Sequence, residues 1–463
     1  MKTLLVLLAG FIVPFSVFAA GPPPRTGKPN IIFILADDLG YGDLGCYGQK
    51  KIKTPNIDRL AAEGIRFTQC YAGTTVCAPS RSALMTGQHT GHTRIRGNNA
   101  WPLQPGDLTV AELLKSAGYK TALIGKWGLG LPQTTGAPWK KGFDEFFGYV
   151  SQTHAHDYYP SNLWRNGQMM LIAGNENGRK TVYAPDLFTR AATNFVRIHR
   201  DNPFFLYLAY TAPHAHNELG RATGNGMEVP SDAPYSKESW PQTEKNKAAM
   251  ITRMDDDIGK LLTFIKGYKI ETNTIIFFAS DNGPHREGGV NPEFFQSSGP
   301  LRGIKRDLSE GGIRVPMIAR WTGNIAPKQV SDFPWAFWDF LPTAAELAGA
   351  SAPKNIDGQS ILPVLRGREI KPHEFLYWEF HERGSKQAVR TGDWKAIRPA
   401  MNKPLELYNL KSDIGETNNV AANHPEVIAK IETYLRTART ESEPWPLKLP
   451  GERAQGTRPE EVN

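Results

Sequence analysis

Asn30-Ile31-Ile32-Phe33-Ile34-Leu35-Ala36, followed at once by Asp37-Asp38, is the stretch that decides the fold. A strand with one wet face alternates apolar and polar residues, whereas this run is apolar throughout, the mark of a strand covered on both faces. Similar runs recur at residues 121–124, 203–210, 274–280 and 315–321, and helical patterns lie between them at 56–63, 109–117, 184–199, 242–266 and 335–347. Strands alternating with helices predict an α/β fold with a mostly parallel central sheet and helices on both faces. The pattern then changes. Short strand-like pieces at 374–380, 388–390, 394–398 and 405–409 lead to a helical pattern at 425–439. They predict a smaller C-terminal α+β unit with an antiparallel sheet. The expected division is an α/β domain over 29–370 and a C-terminal subdomain over 371–463, whose Pro- and charge-rich tail from 441 hugs the surface or is mobile.

The chain starts Met1-Lys2-Thr3 and runs apolar from Leu4 through Ala20, with small residues at Ala19 and Ala20. A basic start, a short apolar core and small residues at its end read as a signal peptide over 1–19, followed by a Pro/Gly-rich leader over 20–28. Pro14 and the lack of stop-transfer flanks argue against an anchor, so no stable membrane insertion is expected. The expected location is exported, periplasmic or secreted. The 463 residues carry a net charge of +8 spread along the chain, with a pI near 9.2. That suits an acidic extracellular ligand without demanding one. No zinc finger, basic helix or other nucleic-acid motif is present, so no nucleic-acid partner is expected.

Asp37-Asp38 and Asp281-Asn282 each follow directly on a strand-like run, and open α/β sheets bind ligands at the carboxyl ends of their strands. Three carboxylates and an amide oxygen form an all-oxygen set suited to Ca²⁺, with Mg²⁺ also possible. A second focus is Cys77-Ala78-Pro79-Ser80-Arg81, closed by Thr86-Gly87. Pro79 is placed for the first turn of a helix, the helix start favours an anion beside residue 77, and Arg81 adds a planar, permanently charged donor set. The other cysteines, Cys46 and Cys70, could pair and leave Cys77 alone.

The Cys77–Arg81 run resembles the motif of the type I sulfatases of the alkaline phosphatase-like superfamily. So does 36–43, Ala-Asp-Asp-Leu-Gly-Tyr-Gly-Asp, and Gly125-Lys126-Trp127-Gly128-Leu129-Gly130 is similar to that family's Gly-Lys-Trp-His-Leu-Gly element. Ala212-Pro213-His214, Ser280-Asp281-Asn282-Gly283, Gly303-Ile304-Lys305 with Glu310–Pro316, and Leu407-Tyr408-Asn409-Leu410 with Gly415-Glu416 continue the match in order. The resemblance implies a sulfuric ester hydrolase acting on a sulfated carbohydrate or other sulfate ester. It implies that Cys77 is oxidised to formylglycine by a formylglycine-generating enzyme, and that Asp37, Asp38, Asp281 and Asn282, with the modified residue 77, hold calcium. Arg81 and Lys126 would orient the formylglycine, while His214 and Lys305 would contact sulfate and assist departure of the alcohol. Two other readings stand beside it: a phosphonate or phosphodiester hydrolase of the same superfamily, and a catalytically silent protein that binds sulfated glycans.

One position departs from the pattern. Gly128 stands where the family has a histidine placed to take a proton as sulfate leaves. A glycine there is expected to widen the pocket, and the run 152–159 offers His154 and His156 as a replacement base. His154, His156, Tyr158 and Arg286 are also the candidate substrate-binding residues, since aromatic faces suit sugars and cations suit further anionic groups.

Overall fold

The structure, a computed structural model, describes residues 27–98, 101–382 and 384–452. The signal peptide and most of the leader expected from sequence lie outside the described residues. Strands β1 (Asn30–Ala36), β2 (Ile65–Tyr71), β3 (Lys120–Lys126), β4 (Glu145–Tyr149), β5 (Asn162–Arg165), β6 (Gln168–Leu171), β7 (Phe204–Ala209), β8 (Thr274–Ser280), β9 (Arg314–Arg320), β10 (Gln329–Ser331) and β11 (Trp335–Ala336) form one sheet. Its order is β10-β2-β9-β8-β1-β7-β3-β4-β5-β6, with β11 also on β2. The centre from β8 to β4 is parallel, while β9, β5 and β6 run antiparallel to their neighbours. The sheet is mostly parallel, as the apolar runs imply.

β1 sits in the middle and is buried along its whole length. Ile31, Phe33 and Leu35 face a core built with α2 (Cys77–Thr86), α3 (Val110–Ser116) and α8 (Phe340–Leu347). Ile32, Ile34 and Ala36 face the opposite core, built with α1 (Pro55–Ala62), α4 (Ala184–His199) and α6 (Gln242–Gly267). Burial on both faces explains the unbroken apolar run. Shorter helices α5 (Asn217–Thr223), α7 (Glu310–Ile313) and α9 (Leu362–Leu365) lie in the connections. None of the helices among the described residues is long and apolar enough to cross a membrane.

Two expectations need correction. The helix expected over 335–347 begins only at Phe340, because Trp335 and Ala336 pair with Cys70 and Tyr71 of β2 before the chain turns through a short 3₁₀ segment. Cys46 and Cys70 do not pair: Cys70 is buried in the core on one face of the sheet, while Cys46 packs against the core on the other.

A separate antiparallel sheet follows, β12 (Leu376–Phe380), β13 (Lys386–Thr391), β14 (Trp394–Arg398) and β15 (Glu406–Asn409), with α10 (Pro425–Leu435) beside it. Trp378 and Phe380 of β12 share a core with Tyr71 and Trp338 of the larger unit. Glu379, fully buried between them, receives Arg96 at 3.0 Å and Arg439 at 2.9 Å and pairs with His381. The described chain past residue 441 packs onto this corner: Trp445 is buried and its indole N–H donates to Arg94 O.

Burial alone would raise the Glu379 carboxyl, but His381, Arg96 and Arg439 hold it down to about 2. A carboxyl whose folded value lies below its unfolded one stabilises the fold above the unfolded value and loses that contribution as pH falls through the folded one. Glu379→Gln is therefore expected to cost about 3 kcal/mol in urea unfolding at pH 7, an amount that shrinks between pH 4.5 and about 2. An equal loss at both ends of that window would contradict the ion-pair account.

Candidate active site

Four adjacent central strands end at one point. β1 and β8 are in register, Ala36 opposite Ser280, so Asp37-Asp38 and Asp281-Asn282 leave the sheet side by side. β7, the other neighbour of β1, runs on to His214, and β3, next to it, ends at Lys126. Asp38 adopts φ +64, a left-handed conformation that aspartate tolerates better than most residues, and its N–H donates to Asp281 Oδ1 at 3.1 Å. Ser280 Oγ locks the turn by accepting from Leu39 N–H and donating to Asn282 O.

Helix α2 supplies Cys77 and Arg81. Its first residue is Cys77 itself, and every residue in it is buried. Cys77 Sγ lies 3.2 Å from Asp37 Oδ1. Arg81, fully buried, gives two bonds to Asp281 Oδ2 at 3.0 and 2.8 Å and one to Lys126 O at 2.8 Å. Lys126 Nζ donates to Asp37 Oδ2 at 2.7 Å.

The segment before β9 brings Lys305. It packs so tightly on the Asp281 turn that a Cβ at Gly283 would lie 1.9 Å from Gly311 O, so only glycine fits there. Glu310 anchors the segment from behind: its N–H donates to Glu416, and its carboxylate accepts from Lys395 at 2.9 Å and from Arg314 at 3.1 Å. Lys305 Nζ then reaches Asp38 Oδ2 at 2.7 Å and His214 Nε2 at 3.3 Å. His214 Nδ1 donates to Ala215 O at 2.7 Å, which leaves Nε2 as the acceptor facing Lys305.

The electrostatics follow from burial and crowding. Burial opposes ionisation of Asp37, yet the cations of Lys126 and Arg81 hold its carboxyl well below the usual range, and Lys305 lowers that of Asp38 against the same burial. Asp281 is pushed up to about 7 by burial and by Asp37, against the pull of Arg81. Burial, Asp281 and Asp37 push the Cys77 thiol well up, so the residue as encoded is a neutral thiol and a poor nucleophile. Burial and Lys305 keep His214 neutral. Burial would lower Lys305, but Asp38 overrides it and raises its ammonium.

The donor set fits a hard cation. Asn282 Oδ1 is buried without a hydrogen-bond partner, while its Nδ2 donates to Asp38 Oδ1 at 2.7 Å and to Gly283 O at 2.9 Å. An orphaned amide oxygen beside three crowded carboxylates needs positive charge. Cys77 and His214 also lie close enough to Asp37 and Asp38 to form a mixed set. The thiol keeps its proton, however, and His214 Nε2 already accepts from Lys305, which leaves the oxygen atoms as the donors that a cation could use.

Position 128 is filled from elsewhere. Gly128 has φ +80, and a Cβ there would lie 2.0 Å from Gln152 Nε2. The glycine therefore does not widen the pocket as its size suggests; the Gln152 amide occupies the space. Gly128→Ala is expected to cost about 1–2 kcal/mol from the left-handed backbone alone, plus the overlap. Adding Gln152→Ala should recover only the overlap, measured by urea unfolding.

The candidate substrate residues separate. His156 lies at the cluster: its ring stacks on His214 with centroids 4.9 Å apart and planes 11° apart. His154 packs edge-on against Tyr149 instead. Tyr158 is fully buried, its hydroxyl 2.8 Å from Thr211 O and 2.7 Å from His214 O, so it props the backbone beneath His214 and faces no ligand. Arg286 is exposed and ion-paired to Glu293. Sequence reading missed Glu218, on a short helix with no motif, and Glu287, which sits 3.9 Å from Lys305 and pairs with Arg306.

Comparison with known proteins places this geometry. A family model described as "Sulfatase" matches residues 29–350, and one described as "N-sulphoglucosamine sulphohydrolase, C-terminal" matches 304–441. Human arylsulfatase A is 33% identical, the match covering 87% of this chain and 86% of that protein. An N-acetylgalactosamine-6-O-sulfatase of Bacteroides thetaiotaomicron is 29% identical, covering 89% and 93%. The crystal structure of Ps i-CgsB superposes with a TM-score of 0.77 at 31% identity, covering 88% of this chain and 92% of that one. The same protein has been solved in complex with k-i-k-neocarrahexaose.

Proposed function

The chain belongs to the sulfatase family and is a sulfuric ester hydrolase, and on that premise we propose that it removes sulfate from a sulfated carbohydrate by means of a formylglycine formed from Cys77 and a bound calcium ion. The observation that carries this reading is the convergence of Cys77 with the oxygen ligands and with Arg81, Lys126, His214 and Lys305 at the end of four neighbouring strands. The names of the relatives support the carbohydrate: an N-acetylgalactosamine sulfatase and a protein solved with a neocarrahexaose. A net charge of +8 suits a polyanion.

Asp37, Asp38, Asp281 and Asn282 would hold the calcium, which supplies positive charge for a sulfate oxygen. The formylglycine supplies, as its hydrate, an oxygen nucleophile that a neutral buried thiol cannot provide. Arg81 fixes Asp281 and, with Lys126, sets a positive wall beside residue 77. A sulfate ester spreads negative charge over its oxygens as the bond to the alcohol lengthens, and fixed cations in a water-poor site stabilise that charge. Lys305 Nζ–H, bonded to His214 Nε2, is the proton source for the departing alcohol oxygen.

Cys77 is 1% exposed, so a formylglycine-generating enzyme would meet it before the fold closes. Export through the segment at 1–19 completes the proposal. Aryl sulfate and aryl phosphate esters, compared on one calcium-loaded preparation, test it. Faster turnover of the sulfate is expected; dominant phosphate turnover would favour a phosphodiester or phosphonate hydrolase, and neither activity a silent glycan-binding protein.

A further inference from the structure

Each hydrolysis of a sulfate monoester breaks one S–O bond, adds water and yields alcohol, sulfate and one proton, so a buried site must hand a proton to solvent every turnover. Position 128 has no side chain to take it, and Gln152 fills the space where one would stand. The same segment that supplies Gln152 continues into a 3₁₀ turn, His154–His156, and sets the His156 ring flat on His214. One loop thus both closes position 128 and delivers an imidazole to the cluster.

His156 is oriented for the task. Its Nδ1 lies 3.0 Å from Glu218 Oε2, so the carboxylate holds the proton at Nδ1 and leaves Nε2 as a lone pair with no partner among the described residues. Glu218 is held in turn by Arg221 at 3.0 Å. Exposure rises outward along this line, with side chains of Lys305 and His214 at 3%, His156 at 15% and Glu218 at 44%. Burial, Lys126 and Lys305 hold the His156 ring below its usual value against the pull of Glu218, so Nε2 is unprotonated at neutral pH. The other groups nearby are committed: His214 Nε2 to Lys305, and Lys126 to Asp37.

We propose that His156, oriented by Glu218, is the base that accepts the proton released in each turnover and carries it to solvent, in the role for which position 128 has no side chain. Attack on sulfur by one hydroxyl of the residue-77 hydrate would form a new S–O bond, break the S–O bond to the alcohol and leave sulfate on that residue. The other hydroxyl would then give its proton to His156 Nε2 as the C–O bond to sulfate breaks, its electron pair leaves with sulfate and the carbonyl re-forms, and water takes the proton from Nε2. The proposal rests on the sulfatase reading.

Rapid-quench kinetics with an aryl sulfate on wild type, His156→Ala and Glu218→Gln test it, each preparation matched for its fraction of modified residue 77. For His156→Ala, the first equivalent of aryl alcohol should appear at close to the wild-type rate while later turnovers slow by ~10²-fold or more. Sulfate should remain on the acid-quenched protein, seen by mass, and imidazole in the buffer should restore turnover. Glu218→Gln, a change at a half-exposed site that leaves the fold intact, should show a smaller effect of the same kind. First and later turnovers slowed equally, or no retained sulfate in either variant, would overturn the proposal. A wild-type protein that releases no aryl alcohol from the sulfate ester would instead sink the sulfatase reading.

Discussion

Cys77→Ala is expected to lower aryl sulfate hydrolysis by ~10⁶-fold, the order of effect seen when a nucleophile is deleted, with little change in stability. The two halves of that expectation have separate causes. Among the described residues Sγ makes a single polar contact, 3.2 Å to Asp37, and its removal leaves a cavity of one atom in a helix buried on every side, so the structural cost is about 1 kcal/mol or less. The catalytic loss is large because nothing else in the cluster can serve as nucleophile. The carboxylates of Asp37 and Asp38 are committed to Lys126 and Lys305, and Asp281 to Arg81. Residual activity within tenfold of wild type, with matched thermal unfolding, would place the nucleophile elsewhere.

The second large effect is on stability. Arg81→Met removes a fully buried guanidinium that bonds Asp281 twice and the carbonyl of Lys126 once, and that lies 3.4 Å from Asp37. Leaving buried carboxylates without their partner costs about 3–5 kcal/mol, far more than the methionine's apolar packing returns. The loss should depend on pH in a stated direction. Asp281 already sits at about 7 with the arginine present, and losing that cation raises it further. A carboxyl raised above its unfolded value gains stability as pH falls, because the folded state then binds the extra proton. Urea unfolding of metal-free protein should therefore show a larger deficit at pH 8 than at pH 6. A deficit independent of pH would mean that packing, and not the uncompensated carboxylate, sets the cost.

Much of the architecture was legible because burial on both faces leaves a mark that one strand can carry alone. The run 30–36 and its counterparts at 203–210 and 274–280 are the central strands β1, β7 and β8. What failed to show were elements whose identity depends on partners. β2 mixes polar and apolar residues because its Arg66 and Thr68 are only partly buried, and Trp335-Ala336 became a strand only because β2 lay beside it. The same division holds at the site. Residues 37, 38, 77, 81, 126, 214, 281, 282 and 305 are each marked by local pattern, and the register of β1 with β8 brings the acidic turns together. Gly128 misled because its φ and the Gln152 amide across from it are invisible in sequence. Tyr158 misled because two carbonyl oxygens draw its hydroxyl inward, whereas Arg286 stays at the surface beside Glu293. Two histidines two residues apart, His154 and His156, part company within one 3₁₀ turn, which periodicity cannot resolve.

The central claim is that the working group at position 77 is an aldehyde and not the encoded thiol. The mass of the tryptic peptide ending at Arg81, measured on preparations of graded aryl sulfatase activity, tests it most directly. The account predicts a peptide lighter than the cysteine form by the difference between CH₂SH and CHO, in a fraction that rises in proportion to activity. Full activity in protein whose residue 77 is entirely thiol would contradict it.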